Sequence, residues 1–309
     1  MAFSHVAVMA GEVVELLRPA SQRRYLDGTL GGGGHAEQIL IASSPDGQLL
    51  GIDKDDEALA AARTRLARFG ARLIIRKESF AAAKELMSQI GWVSVHGVIL
   101  DLGVSSHQLE SGERGFSFRL SGRLDMRMDA QQPLDAYQIV NTYAATELER
   151  ILRDYGEEPH ARRIARAIVA AREAKPIATT AELVDIVAHV KTGRRREHHP
   201  ATQTFQALRI AVNRELEELD RFLDRGYELL EPGGRMVVIS FHSLEDRRVK
   251  TAFRKWSQDC LCPPRTPRCL CGWSRKARLL TKKPIVPSAT EMAINSRARS
   301  AKLRAVEKI

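Results

Sequence analysis

DGTLGGGGH, residues 27–35, sets four consecutive glycines between an aspartate and a histidine. The apolar run RRYLD leads into it, and the helix-forming stretch HAEQILIAS leads out. A flexible linker would not be bracketed by a strand and a helix, so the glycines are read as a strand-to-helix turn. At the carboxyl end of a parallel strand, such a turn lets a ligand approach both the backbone and a helix N-terminus.

The surrounding chain repeats this grammar. Short apolar runs at GQLLGID, ARLIIRKESF and VHGVILDLG follow RRYLD, and DEALAAARTRLARFG between the second and third carries Leu59, Ala62, Leu66 and Phe69 at helical spacing. Strands alternating with helices predict a parallel α/β sheet covered by helices. The pattern changes near Glu113. A polar, glycine-rich stretch gives way to the helical segments PLDAYQIVN, TELERILRDYG, EPHARRIARAIVAARE and TTAELVDIVAHV, closed by the basic tract KTGRRREHHP with His198 and His199. One long helix over ATQTFQALRIAVNRELEELDRFLDRGYELL, the strand RMVVISFH, the helix SLEDRRVKTAFRKW and a last strand in AKLRAVEKI follow. The expected organisation is one sheet domain in two segments, 1–112 and 200–309, hosting an all-helical insertion over 113–199.

A dinucleotide fingerprint needs G-x-G-x-x-G, yet the sixth residue from Gly31 is Ala36 and from Gly32 is Glu37. This disfavours an NAD-dependent oxidoreductase. Acids at the ends of the first two strands, Asp27 and Asp53, suit a ligand with an ammonium group and a ribose but no pyrophosphate. S-adenosylmethionine fits that description.

Of 309 residues, 44% are hydrophobic and 28% charged, enough to bury a substantial core. The net charge of +10 is concentrated: residues 247–309 hold seventeen Lys/Arg against Asp259, Glu291 and Glu307, a net +14 that leaves −4 for the rest. Apolar residues, with Trp256 and Trp273, are interleaved with these charges, as in a footprint for a polyanion such as nucleic acid. Neither a signal sequence nor a membrane-length apolar run is read, which sets a cytoplasmic expectation. The four cysteines lie together in CLCPPRTPRCLC, residues 260–271. Their two C-x-C pairs depart from the usual C-x₂₋₄-C of structural zinc sites. A tetrathiolate zinc site and a reduced, proline-braced loop both stay open, and no metal is assigned.

Five stretches together resemble the bacterial MraW family: DGTLGGGGHAEQIL, DLGVSSHQLESGERGFSFRLSGRLDMRMD (101–129), HPATQTFQALRIAVNRELEEL (199–219), GGRMVVISFHSLEDRRVK (233–250) and NSRARSAKLRAVEK (295–308). The resemblance spans essentially the whole chain, in order. It implies a class I S-adenosylmethionine-dependent methyltransferase with an inserted helical domain, acting on N4 of a cytidine in 16S ribosomal RNA, in the decoding region of the small (30S) subunit. It implies cofactor contacts at Gly33, Gly34, His35, Asp53, Phe80, Asp101 and Gln108. His107 and the Gly122-Arg123 pair depart from the family's usual proline and Gly-Pro. Many exocyclic-amine methyltransferases carry Asp/Asn-Pro-Pro-aromatic after the fourth strand; here the slot reads Asp101-Leu102-Gly103-Val104, so Asp101 or a nearby carbonyl is the expected acceptor for the amine. His242 and Ser243 are candidates for holding the cytosine or a flanking phosphate, with Ser243 as a simple helix cap the alternative. A non-catalytic RNA-binding or assembly protein is the remaining rival, and the oligomeric state is left open.

Overall fold

The computed structural model describes residues 7–191, 199–263, 266 and 268–309; His198 of the basic tract lies outside them. The chain forms two compact units, 1–103 with 216–309, and 104–215.

The first unit is built on seven strands: β1 (Arg24–Asp27), β2 (Gln48–Asp53), β3 (Leu73–Lys77), β4 (Val95–Asp101), β5 (Leu230–Ser240), β6 (Ala277–Leu279) and β7 (Lys302–Lys308). Their order is β3-β2-β1-β4-β5-β7-β6. The first five run parallel, and β7 lies antiparallel between β5 and β6. Burial is nearly continuous along β1, β2 and β4, because both faces of the sheet are covered, as helical crossovers require. Leu26, Leu50, Val98, Leu100 and Val238 enter a core shared with Phe222, Phe253 and Trp256. Tyr25, Leu49, Ile99 and Val237 enter one shared with Val13, Ile39, Leu59 and Leu66. β7 is held by charge as well as by its ladder, since Glu307 pairs with Arg235 at 2.9 Å and Arg278 at 2.7 Å, and nearly buried Arg304 pairs with Asp246 at 2.7 Å.

The second unit has its own core, drawn from the helices Ala136–Thr142, Ala145–Gly156, Ala161–Ala174, Thr180–Val190 and Thr202–Asn213. This moves both borders from the expected 113–199. Val104 and Leu109 pack on the helical core, as do Phe205, Leu208 and Val212, so those segments belong to it. The expected single long helix from Ala201 is likewise two. The first ends at Asn213, Arg214 adopts a left-handed conformation (φ 52°), and a second helix runs Glu215–Arg225. Apolar residues before the break serve the helical core, whereas Leu219, Phe222 and Leu223 beyond it serve the sheet. β5 also begins earlier than expected, at Leu230, taking Pro232-Gly233-Gly234 into the strand where its register with β4 shifts between Val95 and Gly97.

Asn213 fastens the polar 113–129 stretch to its helix. Its carbonyl accepts from Met128 N–H at 2.7 Å, and its amide donates to the Met126 and Arg209 carbonyls at 2.8 and 2.9 Å. Asn213→Ala strands two buried backbone groups, at roughly 1–3 kcal/mol each, and is expected to destabilise the chain by roughly 2–4 kcal/mol in urea unfolding. A change below about 0.5 kcal/mol would show that the fastening contributes nothing.

Candidate functional site

The site forms where β1, β2, β4 and β5 end. After β1 the chain is tied to its neighbours bond by bond: Gly28 N–H donates to Ile99 O (3.0 Å), Leu30 N–H to Ile52 O (2.9 Å), and Gly31 N–H to Asp53 Oδ2 (2.7 Å). Gly33 then takes φ 79° and caps the helix Gly34–Ala42. A side chain at Gly33 would need that left-handed backbone and would place its Cβ 2.8 Å from Leu66. A Cβ at Gly28 would lie 2.5 Å from Leu100 and 2.9 Å from Phe80. The glycines let the turn lie flat on the strand ends, leaving the first helical turn of Gly34–Ala42 facing the site with its amides.

Around this turn the structure gathers ionisable groups. Asp27, 1% exposed, closes β1; its Oδ1 accepts from Thr29 N–H at 3.2 Å, and its Oδ2 has no partner among the described residues. The Thr29 hydroxyl accepts from Asp101 N–H at 2.6 Å, coupling the ends of β1 and β4. His35 Nε2 lies 3.4 Å from Asp101 Oδ2, an ion-pair distance, while His35 Nδ1 and Asp101 Oδ1 are buried without partners among the described residues.

Burial raises the Asp27 carboxyl to about 7, against the pull of His35 and the Thr29 N–H; Asp101 and Asp53 push it further upward. Burial opposes charge on His35, but the contact with Asp101, reinforced by Asp27 and Glu291, outweighs it and sets His35 above its ordinary value. Asp53 is also raised by burial, with N–H bonds from Asp55 and Gly31 acting the other way.

The expected residues therefore divide. Gly33, Gly34, His35, Asp53 and Asp101 converge on one turn. Phe80 sits at the edge of that turn against Gly28 and makes a T-shaped contact with Phe222 at 5.6 Å; it opens a short helical turn after β3. His242 and Ser243 follow β5, whose Ile239 pairs with Asp101. His242, not Ser243, is the residue capping the helix Ser243–Trp256, and its Nε2 lies 3.1 Å from the buried Glu245, which also accepts from Phe241 N–H at 2.8 Å. Gln108 belongs to the helical unit, where its Oε1 accepts from Ser105 N–H at 2.9 Å. Two participants escaped a reading along the chain. Thr29 is a turn residue that binds Asp101 N–H, and Glu291, an acid in the basic region, accepts from Met9 N–H at 2.6 Å and adds to the field on His35.

These residues fit S-adenosylmethionine. The bare oxygens of Asp27 and Asp101 suit a cation, Asp53 suits ribose hydroxyls, and the glycine turn admits a ligand against the backbone.

A model of the MraW methylase family matches residues 2–309. Proteins named ribosomal RNA small subunit methyltransferase H are similar along their whole length. The Geobacter sulfurreducens protein is 53% identical over 311 residues, covering 100% of both chains. The Geotalea daltonii protein is 52% identical over 309 residues, with 99% of both chains covered. The Symbiobacterium thermophilum protein is 49% identical over 311 residues, covering 100% of this chain and 98% of its own. With the acid-lined glycine turn on a seven-stranded sheet of this order, the match places the chain in the MraW methylase family, as a class I S-adenosylmethionine-dependent methyltransferase.

Proposed function

We propose that the chain methylates N4 of a cytidine in the decoding region of 16S ribosomal RNA, acting on the small (30S) subunit in the cytoplasm. The observation that supports it most is the pairing of a buried Asp101 oxygen, unpartnered among the described residues, at the end of β4 with whole-length similarity to proteins named ribosomal RNA small subunit methyltransferase H. Among the described residues, no helix is long and apolar enough to cross a membrane.

S-adenosylmethionine, when bound, supplies an electrophilic methyl group on a sulfonium. Gly33, Gly34 and His35 hold its methionine end, Asp53 its ribose and Phe80 its adenine. Gln108 joins this set on the family resemblance alone. The amine lone pair of cytosine is delocalised into the ring, so an acceptor beside its N–H bonds helps localise it and takes the proton that must leave. Asp101 Oδ1 is that acceptor. Thr29 fixes the backbone of Asp101, and His35 Nε2 lies 3.4 Å from its other oxygen. His242 and Ser243, on the neighbouring strand end, hold the base or a flanking phosphate, with Glu245 setting the direction of His242. A target base must leave its stack to reach such a site, which favours an unpaired loop. Lys250, Arg254, Lys282 and Arg304 line one small pocket in the basic region, a place for the RNA backbone.

The test is transfer of tritiated methyl to small subunits lacking the modification, followed by nucleoside analysis. Label on N4-methylcytidine is expected; label on a ring carbon or on ribose, or none at all, would refute the reading.

Asp101→Asn should lower turnover by roughly 10²–10⁴-fold while cofactor still binds. Near-native turnover in that variant would return the acceptor's role to a backbone carbonyl.

Asp27 sets a pH dependence. Its folded value of about 7 exceeds the ordinary 3.8, so its contribution to stability of the cofactor-free chain is complete below 3.8 and lost as pH rises through about 7. His35, also raised, acts in the same direction. A cationic ligand beside Asp27 favours the ionised acid, so cofactor affinity should rise between about pH 6 and 8, by no more than about tenfold per unit, with proton release in calorimetry. Asp27→Asn should flatten the profile; wild-type affinity that ignores pH would remove Asp27 from the cation's surroundings.

Raising salt from about 50 to 200 mM should weaken RNA binding about tenfold or more while cofactor affinity hardly changes. Equal sensitivity of the two would count against the basic region as the RNA contact.

A further inference from the structure

The basic region contains a second constellation that methyl transfer does not use. Between the helix Ser243–Trp256 and β6, the chain makes an excursion that starts and returns at one point, with Lys276 N–H donating to Trp256 O at 2.8 Å. At its tip the two C-x-C arms face each other. Cys260 Sγ lies 3.5 Å from Cys269 and 3.7 Å from Cys271, Cys269 is 3.5 Å from Cys271, and Cys262 is 4.0 Å from Cys269. All four sulfurs fall within 4.8 Å of one another, and none is in a disulfide. A regular tetrahedron with Zn–S bonds of about 2.3 Å has S···S edges of about 3.8 Å. The spacing is that of a metal tetrathiolate.

Burial does not explain the convergence. Cys260, Cys269 and Cys271 are exposed and Cys262 half-buried, so little apolar area is gained by bringing the four together. Ordering such a loop costs chain entropy, and bonds between neutral thiols are weak donors and acceptors. The backbone is instead turned toward the sulfurs: Leu261 N–H donates to Cys271 at 3.4 Å, Cys262 N–H to Cys260 at 3.3 Å, and Leu270 N–H to Cys262 at 3.4 Å. Amides aimed at sulfur stabilise thiolates, the form that binds metal. Among the described residues, Trp273 Nε1 donates to Gln258 O at 3.0 Å, and Arg275 pairs with Asp259 at 2.6 Å.

From this geometry we infer that Cys260, Cys262, Cys269 and Cys271 bind one zinc ion. With four protein ligands the site is closed, leaving no position for water or substrate, so its role is structural. It staples the loop that carries Arg268 and Arg275 and leads to Trp273, whose ring lies beneath the Lys255 and Lys276 ammonium groups at 5.6 and 5.3 Å. The closed tetrathiolate goes beyond a reading of the C-x-C spacing, which left both zinc and a reduced loop open.

The full-length chain, purified without chelator and without a metal-binding tag, should carry about one zinc per chain by elemental analysis. Mercurial modification of the thiols should release it to a chromogenic indicator. Cys260→Ser combined with Cys269→Ser should reduce bound zinc at least tenfold while S-adenosylmethionine affinity, read on a remote part of the sheet, stays within about twofold. Should that variant fail to fold, cobalt(II) added to metal-free wild-type chain gives an independent reading: visible bands of a tetrahedral thiolate site are expected. Four rapidly titrating thiols in a metal-free chain as purified, iron in place of zinc, or a cobalt complex without tetrahedral bands would each overturn the assignment.

Discussion

The bond from Gly31 N–H to Asp53 Oδ2 joins the turn after β1 to the end of β2, and the site is arranged around it. It uses one carboxylate oxygen to hold the turn down, while the Asp55 N–H occupies the other oxygen and orients the side chain. Once the turn is held, Gly33 can pack on Leu66, the helix Gly34–Ala42 starts at the strand ends, and His35 arrives beside Asp101. A bulkier turn would lift that helix away, and the charged cluster would disperse. The glycines matter less for flexibility than for absence of volume.

The same cluster accounts for the chemistry assigned to the site. Three acids and a histidine are brought together where β1, β2 and β4 end, and burial makes their charges costly unless a partner is present. Asp27 responds by rising to about 7, and the contact with Asp101 sets His35 above its ordinary value. A cationic ligand relieves this cost, so a site built this way favours positive charge. Thr29 adds rigidity at little volume, linking two strand ends through one hydroxyl.

Much of the sheet was legible because parallel strands buried on both faces read as continuous apolar runs, and VHGVILD appears as β4 with only small offsets. The helical segments were legible from their spacing. The borders were not. Residues 201–213 run on into 215–225 without a glycine or proline, and only the assignment of Phe205 and Leu208 to one core and Phe222 to another reveals the break at Arg214. Local pattern records which face of a helix is apolar, not which core receives it.

The sequence by itself determined the α/β class, the glycine turn, the acids at the strand ends and the kinship of the chain, because each is carried by residues close together along it. Only the tertiary structure decided that Asp27, His35 and Asp101 form one charged cluster and that Glu291 contributes to its field. Those facts depend on distances between segments far apart in the chain, and charge interactions fall off with separation in space, whatever the separation in sequence.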